Sequence, residues 1–168
     1  MSEAWFNDQD IVTVERDLLE RLKQTAAENA SRKMRFCLHQ DQNAQLHEMV
    51  IAVAPGAYLR PHRHPTKCES FHVIQGKFWL VIFDDSGKIQ RKFVMGPRHE
   101  EDIFLYRIEK GYWHTIVPLT DFVILHEVTP GPFVREEASE FPVWAPAPEE
   151  TEKIREFQKE LIHRCEAC

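Results

Sequence analysis

Between Gly56 and Gly76 the chain reads GAYLRPHRHPTKCESFHVIQG, which sets His62, His64 and Glu69 two and then five positions apart. Extended backbone sends residues i and i+2 to one face, so both imidazoles leave the chain in the same direction. A carboxylate arriving from the next strand completes three ligands around one metal ion. With 9 His and 27 Asp plus Glu in 168 residues, chance supplies roughly 0.08 copies of this spacing. The fixed glycines at either end lower that figure further. The rest of the chain is read as a scaffold for this cluster, a source of its fourth ligand, or packing.

A chain of 168 residues and 19.8 kDa has room for one domain with a useful core. Its content, 43% hydrophobic and 29% charged, is that of an ordinary globular protein. The net charge of −6 argues against a nucleic-acid partner, because such binding rests on a basic surface. The short basic run Arg32 to Arg35 reads as a solvated turn entering a strand. Phe78 to Phe83 is too short an apolar run to cross a bilayer, which takes roughly 20 residues. The acidic start MSEAWFNDQD has no apolar h-region, so a cytoplasmic address is expected. Four cysteines, Cys37, Cys68, Cys165 and Cys168, are then read as free thiols.

Val14, Leu18, Leu22 and Ala26 recur every four positions between Asp10 and Ala30, the stripe of an amphipathic helix. Met34 to Leu38 reads as a short strand. From His47 to Ala54 both alternating faces are apolar, as in a strand buried on two sides. After the turn at Pro55-Gly56 and the metal stretch come strand-like runs at Phe78 to Phe83, Ile89 to Val94, Asp102 to Ile108, Thr115 to Val117 and Phe122 to Val128. Asp84-Asp85-Ser86-Gly87 supplies a hairpin turn between the first two. Short strands separated by turns, with no helices between them, argue for an all-β antiparallel barrel or jelly roll. From Thr129 a proline-rich arm, with Phe133, Phe141 and Trp144 among its prolines, should pack aromatics on the barrel wall. A last helix over Glu149 to His163 carries Ile154, Phe157, Leu161 and Ile162 on one side. Cys165-x-x-Cys168 follows with no second pair and reads as an exposed tail.

The pattern G-x5-H-x-H-x4-E-x6-G is the first motif of the cupins, and Gly56, His62, His64, Glu69 and Gly76 match it. The chain therefore resembles a cupin, which implies a double-stranded β-helix, a small jelly-roll barrel, here with an N-terminal and a C-terminal helix. The second cupin motif, G-x5-P-x-G-x2-H-x3-N, is matched by Gly111 and His114. Ile103, Glu109 and Pro118 stand at its glycine, proline and asparagine. The resemblance implies His114 as fourth ligand. Through SRKMR, YLRPHRHPTKCE, FDDSG, GYWHT, HEVTPGPF and VWAPA, the run from Ser31 to about Ala147 is similar to the WbuC-type family of cupin metalloproteins, which is associated with surface-polysaccharide gene sets. The implied organisation is an N-terminal helical segment over residues 1–30, a metal-binding barrel over 31–147 and a C-terminal helix and tail over 148–168.

Three imidazoles and a carboxylate suit one divalent first-row ion, with Zn, Fe, Mn and Ni all admissible. A structural zinc is a poorer match, because such sites are usually four-coordinate and rich in cysteine. Tyr58 and Arg60 share the parity of His62 and His64 and are candidate substrate-binding residues if the segment stays extended. Arg60 could clamp an anionic group or form a buried ion pair with Glu127. Tyr106 and His126 sit on apolar strands and could face either cavity or solvent; with Arg60 they are the catalytic candidates. Trp113, Trp79 and Phe71 could stack on a sugar ring or simply pack the barrel. Cys68 reads as an inert thiol beside Glu69, and His39 and His72 as ordinary hydrogen-bonded histidines.

Two classes of function stand on these residues. One is a metal-dependent enzyme on a small polar, carbohydrate-like or anionic molecule, either an isomerase or epimerase or an iron-dependent dioxygenase. The other is a non-catalytic small-molecule binding module. Fold alone does not choose between them. Exposed edge strands and terminal helices leave a homodimer open.

Overall fold

The computed structural model describes residues 3–167. Cys168, and with it the Cys165-x-x-Cys168 pairing, lies outside the described residues. Nine strands make two sheets: β1 (Ala4–Phe6), β2 (Lys33–Cys37), β3 (Leu46–Val53), β4 (Glu69–Gln75), β5 (Phe78–Phe83), β6 (Ile89–Met95), β7 (Leu105–Ile108), β8 (Trp113–Pro118) and β9 (Val123–Pro130). The larger sheet runs β1-β2-β3-β9-β4-β7 and the smaller β6-β5-β8. Every pairing is antiparallel except β1 with β2. Two antiparallel sheets face each other across one core, the jelly roll that the spacing of short strands and turns led us to expect.

That core is made by the inward residues of both sheets, among them Val53, Phe71, Val73, Phe78, Leu80 and Leu125. β3 shows why its sequence is apolar on both sides. Ile51 and Val53 face the barrel, while Val50 and Ala52 face α1 (Arg16–Glu28), whose Leu22 and Ala26 are fully buried against them. The strand β1 was not anticipated. Three residues cannot show an alternation, and what orders them is a long-range pairing, Trp5 with Phe36.

The last helix, α3 (Thr151–Glu166), buries Leu161 and Cys165 and packs with Phe157, Trp144 and Trp113 on the outside of the smaller sheet. Ile162, expected on the buried side, is 40% exposed, since the stripe that faces the sheet runs 157, 161, 165. Between β9 and α3 the proline-rich arm includes a short helix, α2 (Arg135–Ala138). Its Trp144 does pack on the wall, 5.1 Å from the Phe83 ring. Phe141 instead remains 51% exposed and lies against His62, with ring centroids 6.3 Å apart.

No helix among the described residues is long and apolar enough to cross a membrane.

Candidate metal centre

His62 and His114 face each other across an isolated antiparallel bridge. The His62 amide donates to the His114 carbonyl at 3.0 Å and the His114 amide returns the bond at 2.9 Å. Directly opposed residues of an antiparallel pair point to the same face, so this bridge aims both imidazoles at one spot. Gly111, at φ +88°, makes the turn into β8, and its amide donates to the His64 carbonyl at 2.9 Å. Glu69 opens β4 and points inward, two residues before Phe71 of the core.

One potential ligand atom from each of His62, His64, Glu69 and His114 lies within 4.8 Å of all the others. Ligands about 2.0–2.2 Å from a shared ion fall inside that limit. Each imidazole is also held in a defined tautomer. Nδ1 of His62 lies 3.0 Å from the Arg60 carbonyl, that of His114 2.9 Å from the Tyr112 carbonyl, and that of His64 2.5 Å from the Ala138 carbonyl. A carbonyl can only accept, so Nδ1 carries the proton and Nε2 keeps its lone pair for an ion.

The carboxylate tells the same story. Glu69 Oε2 is 2.8 Å from His64 Nε2, and Oε1 is 2.7 Å from His114 Nε2. Although close, Oε1 is buried without an aligned hydrogen bond. Such an atom is costly unless something else satisfies it, and a cation between the four donors would. Electrostatics agree. Burial and the neighbouring His114 push His62 down to about 3, so it is neutral. Burial works against the Glu69 charge, but the His114 and His64 imidazoles more than offset it and hold the carboxyl well below its usual range. His62 and Glu69 thus already stand in the forms a metal requires; at His64 burial is outweighed by the hydrogen bond and charge of Glu69, which raise it above its ordinary value, so an ion binding here displaces a proton from that imidazole. These residues fit a single divalent ion.

Other candidates are placed elsewhere. Residues 57–61 belong to no strand, and Pro61 has no amide to give to one, so the parity of His62 and His64 does not carry back to Tyr58 and Arg60. Ala57 and Leu59 turn into the barrel. The Tyr58 hydroxyl donates to the Pro146 carbonyl at 3.1 Å. Arg60 donates to the Ala145 carbonyl at 2.9 Å and lies over the Phe141 ring at 4.8 Å. It forms no ion pair with Glu127 among the described residues; both Tyr58 and Arg60 hold the arm.

Trp113 is placed on the outer face of its strand. It alternates with His114, so it faces away from the ion, donates from Nε1 to Asp85 at 2.9 Å and carries the Arg63 guanidinium over its ring at 4.3 Å. Trp79 shares that outer cluster. His126 alternates with Leu125 and Glu127 and so leaves the barrel, 3.8 Å from Glu48. His72, opposite it in register, leaves by the same face, and His39 stacks on His47 at 4.0 Å. Cys68 is half-buried, and its carbonyl accepts from the Thr129 hydroxyl at 2.9 Å. Tyr106 does face inward, stacked on Phe71 at 5.2 Å.

The arm itself was missed as part of the site. Arg63 and Glu140 exchange backbone hydrogen bonds of 3.1 and 2.9 Å, and their side chains pair at 2.6 Å. This brings Ala138 to His64 and Phe141 to His62. No local signal foretold it, because the partners are 77 positions apart.

Among solved structures, CapF bound to the inhibitor 3-isopropenyl-tropolone superposes with a TM-score of 0.55 at 20% identity, over 68% of this chain and 32% of that one. The fold is that of the cupins. Oxalate decarboxylase from Lactobacillus farciminis, as its formate complex, matches at TM-score 0.46 and 19% identity, over 58% of this chain and 26% of that one. Oxalate decarboxylase from Bacillus subtilis, studied for its Mn(II) centres, matches at TM-score 0.46 and 19% identity, over 58% and 24%. The cupin barrel described here thus spans a quarter to a third of the length of these chains. A family described as a domain of unknown function, DUF6016, matches residues 14–95, which include His62, His64 and Glu69 but not His114. No curated protein matches the sequence.

Proposed function

We propose that this cupin is a metal-dependent enzyme of the isomerase or epimerase type, acting on a small polar, carbohydrate-like or anionic molecule. One observation carries the reading: three Nε2 atoms and one carboxylate converge, with every Nδ1 tied to a carbonyl. That donor set takes a zinc, iron, manganese or nickel ion. Bound there, the ion supplies Lewis acidity to a ligand oxygen. In this scheme the three histidines move no protons, because Nε2 is engaged and Nδ1 is shared with backbone. Glu69 stays anionic and neutralises part of the ionic charge. The resemblance to the WbuC-type family supports a surface-polysaccharide setting for the substrate.

The test is elemental analysis of protein purified without added metal, followed by oxygen-uptake measurements. One zinc, manganese or nickel per chain with no oxygen consumption supports isomerase chemistry. Iron with oxygen consumption would replace it by dioxygenase chemistry, and a chain without stoichiometric metal would overturn the centre itself.

A further inference from the structure

Glu127 stands where the barrel should hold a hydrophobic side chain. On β9 it follows the parity of Val123 and Leu125, both buried in the core. In register it lies between Met49 of β3 and Phe71 of β4, and Phe71 in turn faces Tyr106 of β7. The inward row across four strands is therefore Met49, Glu127, Phe71, Tyr106, one step along β4 from the ligand Glu69. No hydrogen bond or ion pair reaches the Glu127 carboxyl among the described residues. It is not one of the four converging donors either.

Glu127 is half-buried, so its carboxyl lines the barrel beside Phe71 and Tyr106 while keeping contact with solvent, and carboxyls shifted from their ordinary range in such places concentrate at working sites. In the metal-free chain burial, then the charge of Glu69, pushes Glu127 up to about 7; what suits it to proton transfer is its place, an inward carboxyl one row from the ligand Glu69 with no hydrogen-bond partner among the described residues to occupy it. The other groups acting on it are Arg35 and Cys37 from β2, Tyr106 from β7, and His64 and Lys67 from the loop before β4. Burial, with Glu69 and Glu127 nearby, raises Tyr106 well above its ordinary value, so its hydroxyl remains a donor.

We propose that Glu127 is the proton-transferring residue for a hydroxy-carbonyl ligand at the His62/His64/Glu69/His114 centre, with the Tyr106 hydroxyl donating to the ligand's oxygen. This rests on the isomerase or epimerase reading above. The C–H bond next to the ligand carbonyl breaks, its proton passes to a Glu127 carboxylate oxygen, and its electron pair moves onto the carbonyl oxygen. Return of the proton to carbon reverses the electron flow, so neither oxidant nor reductant is consumed.

The test uses wild type, Glu127→Gln and Tyr106→Phe, each loaded with one equivalent of cobalt(II). Glycolate binding is followed through the cobalt visible spectrum, and deuterium uptake into hydroxyacetone in D2O by proton NMR. Glu127→Gln should retain cobalt and bind glycolate within about threefold of wild type, while deuterium uptake falls about 100-fold or more. Tyr106→Phe should lower uptake about tenfold. Equal uptake in Glu127→Gln and wild type overturns the assignment, as does a wild type that binds glycolate yet takes up no deuterium. Loss of cobalt from Glu127→Gln would make the residue a support of the metal, which also overturns it. A wild-type cobalt spectrum that ignores glycolate would instead sink the open metal site on which the assignment stands.

Discussion

The ring nitrogen Nδ1 of His64 lies 2.5 Å from the carbonyl oxygen of Ala138, 74 positions further along the chain. The other two imidazoles take their orienting carbonyl from two residues back, Arg60 and Tyr112. His64 alone depends on the arm, and the arm is held at this point by Arg63 and Glu140. That ion pair is partly exposed, with side chains 34% and 47% accessible, so its own contribution to stability is about 0–1 kcal/mol. We expect Glu140→Ala to weaken cobalt(II) binding roughly tenfold, as loss of a ligand-orienting contact does, while shifting unfolding by about 1 kcal/mol or less. Competition titration and thermal melts measure the two; undiminished affinity would show that Ala138 does not orient His64.

Removal of a ligand is a stronger change. His62→Ala and His114→Ala should each fall below about 0.1 metal per chain after dialysis, because an incomplete site competes poorly for the ion. The far-ultraviolet spectrum should remain that of a β barrel, since the core is apolar and lies deeper. Full occupancy in both variants, by elemental analysis, would refute the ligand set.

Two glycines of the sequence motifs, Gly76 and Gly111, should respond differently to alanine. At Gly76, φ is +80° and a Cβ would stand 2.0 Å from the Phe122 carbonyl oxygen, so backbone must move. Gly76→Ala should cost about 3 kcal/mol in urea unfolding. At Gly111, φ is +88° but nothing lies within 4 Å, leaving only the conformational penalty of about 1–2 kcal/mol. Equal costs would mean that contact, not backbone conformation, has been misjudged.

Stability of the metal-free protein should depend on pH through Glu127. Its carboxyl is raised from 4.5 to about 7 by burial and by Glu69. Between those values the folded chain keeps a proton that the unfolded chain has released. This stabilising contribution is complete below about 4.5 and disappears as pH rises through about 7. Glu127→Gln removes the titration, so its melting temperature should exceed that of wild type increasingly from pH 5 to pH 8. A difference that is constant with pH would show that Glu127 ionises normally.

The sequence alone determined the parts of this protein that depend on near neighbours. His62, His64 and Glu69 lie within eight positions, and two-residue periodicity and turn glycines act over that range. The faces of β3 and the stripe of α1 were legible for the same reason, since each is a repeat that burial imposes on a regular element. His114 was reached only through the motif it resembles, because its approach to His62 is a cross-strand contact. Tertiary structure decided the directions of Tyr58, Arg60, Trp113 and His126, and it decided that Glu127 faces inward without a partner. Residues 57–61 belong to no ladder, and parity counted from His62 is lost across Pro61. The arm adds the last element: Ala138 meets His64 because Glu140 pairs with Arg63 across 77 positions, a contact whose chain-closure cost is met by packing over the whole barrel and by no signal local to either segment.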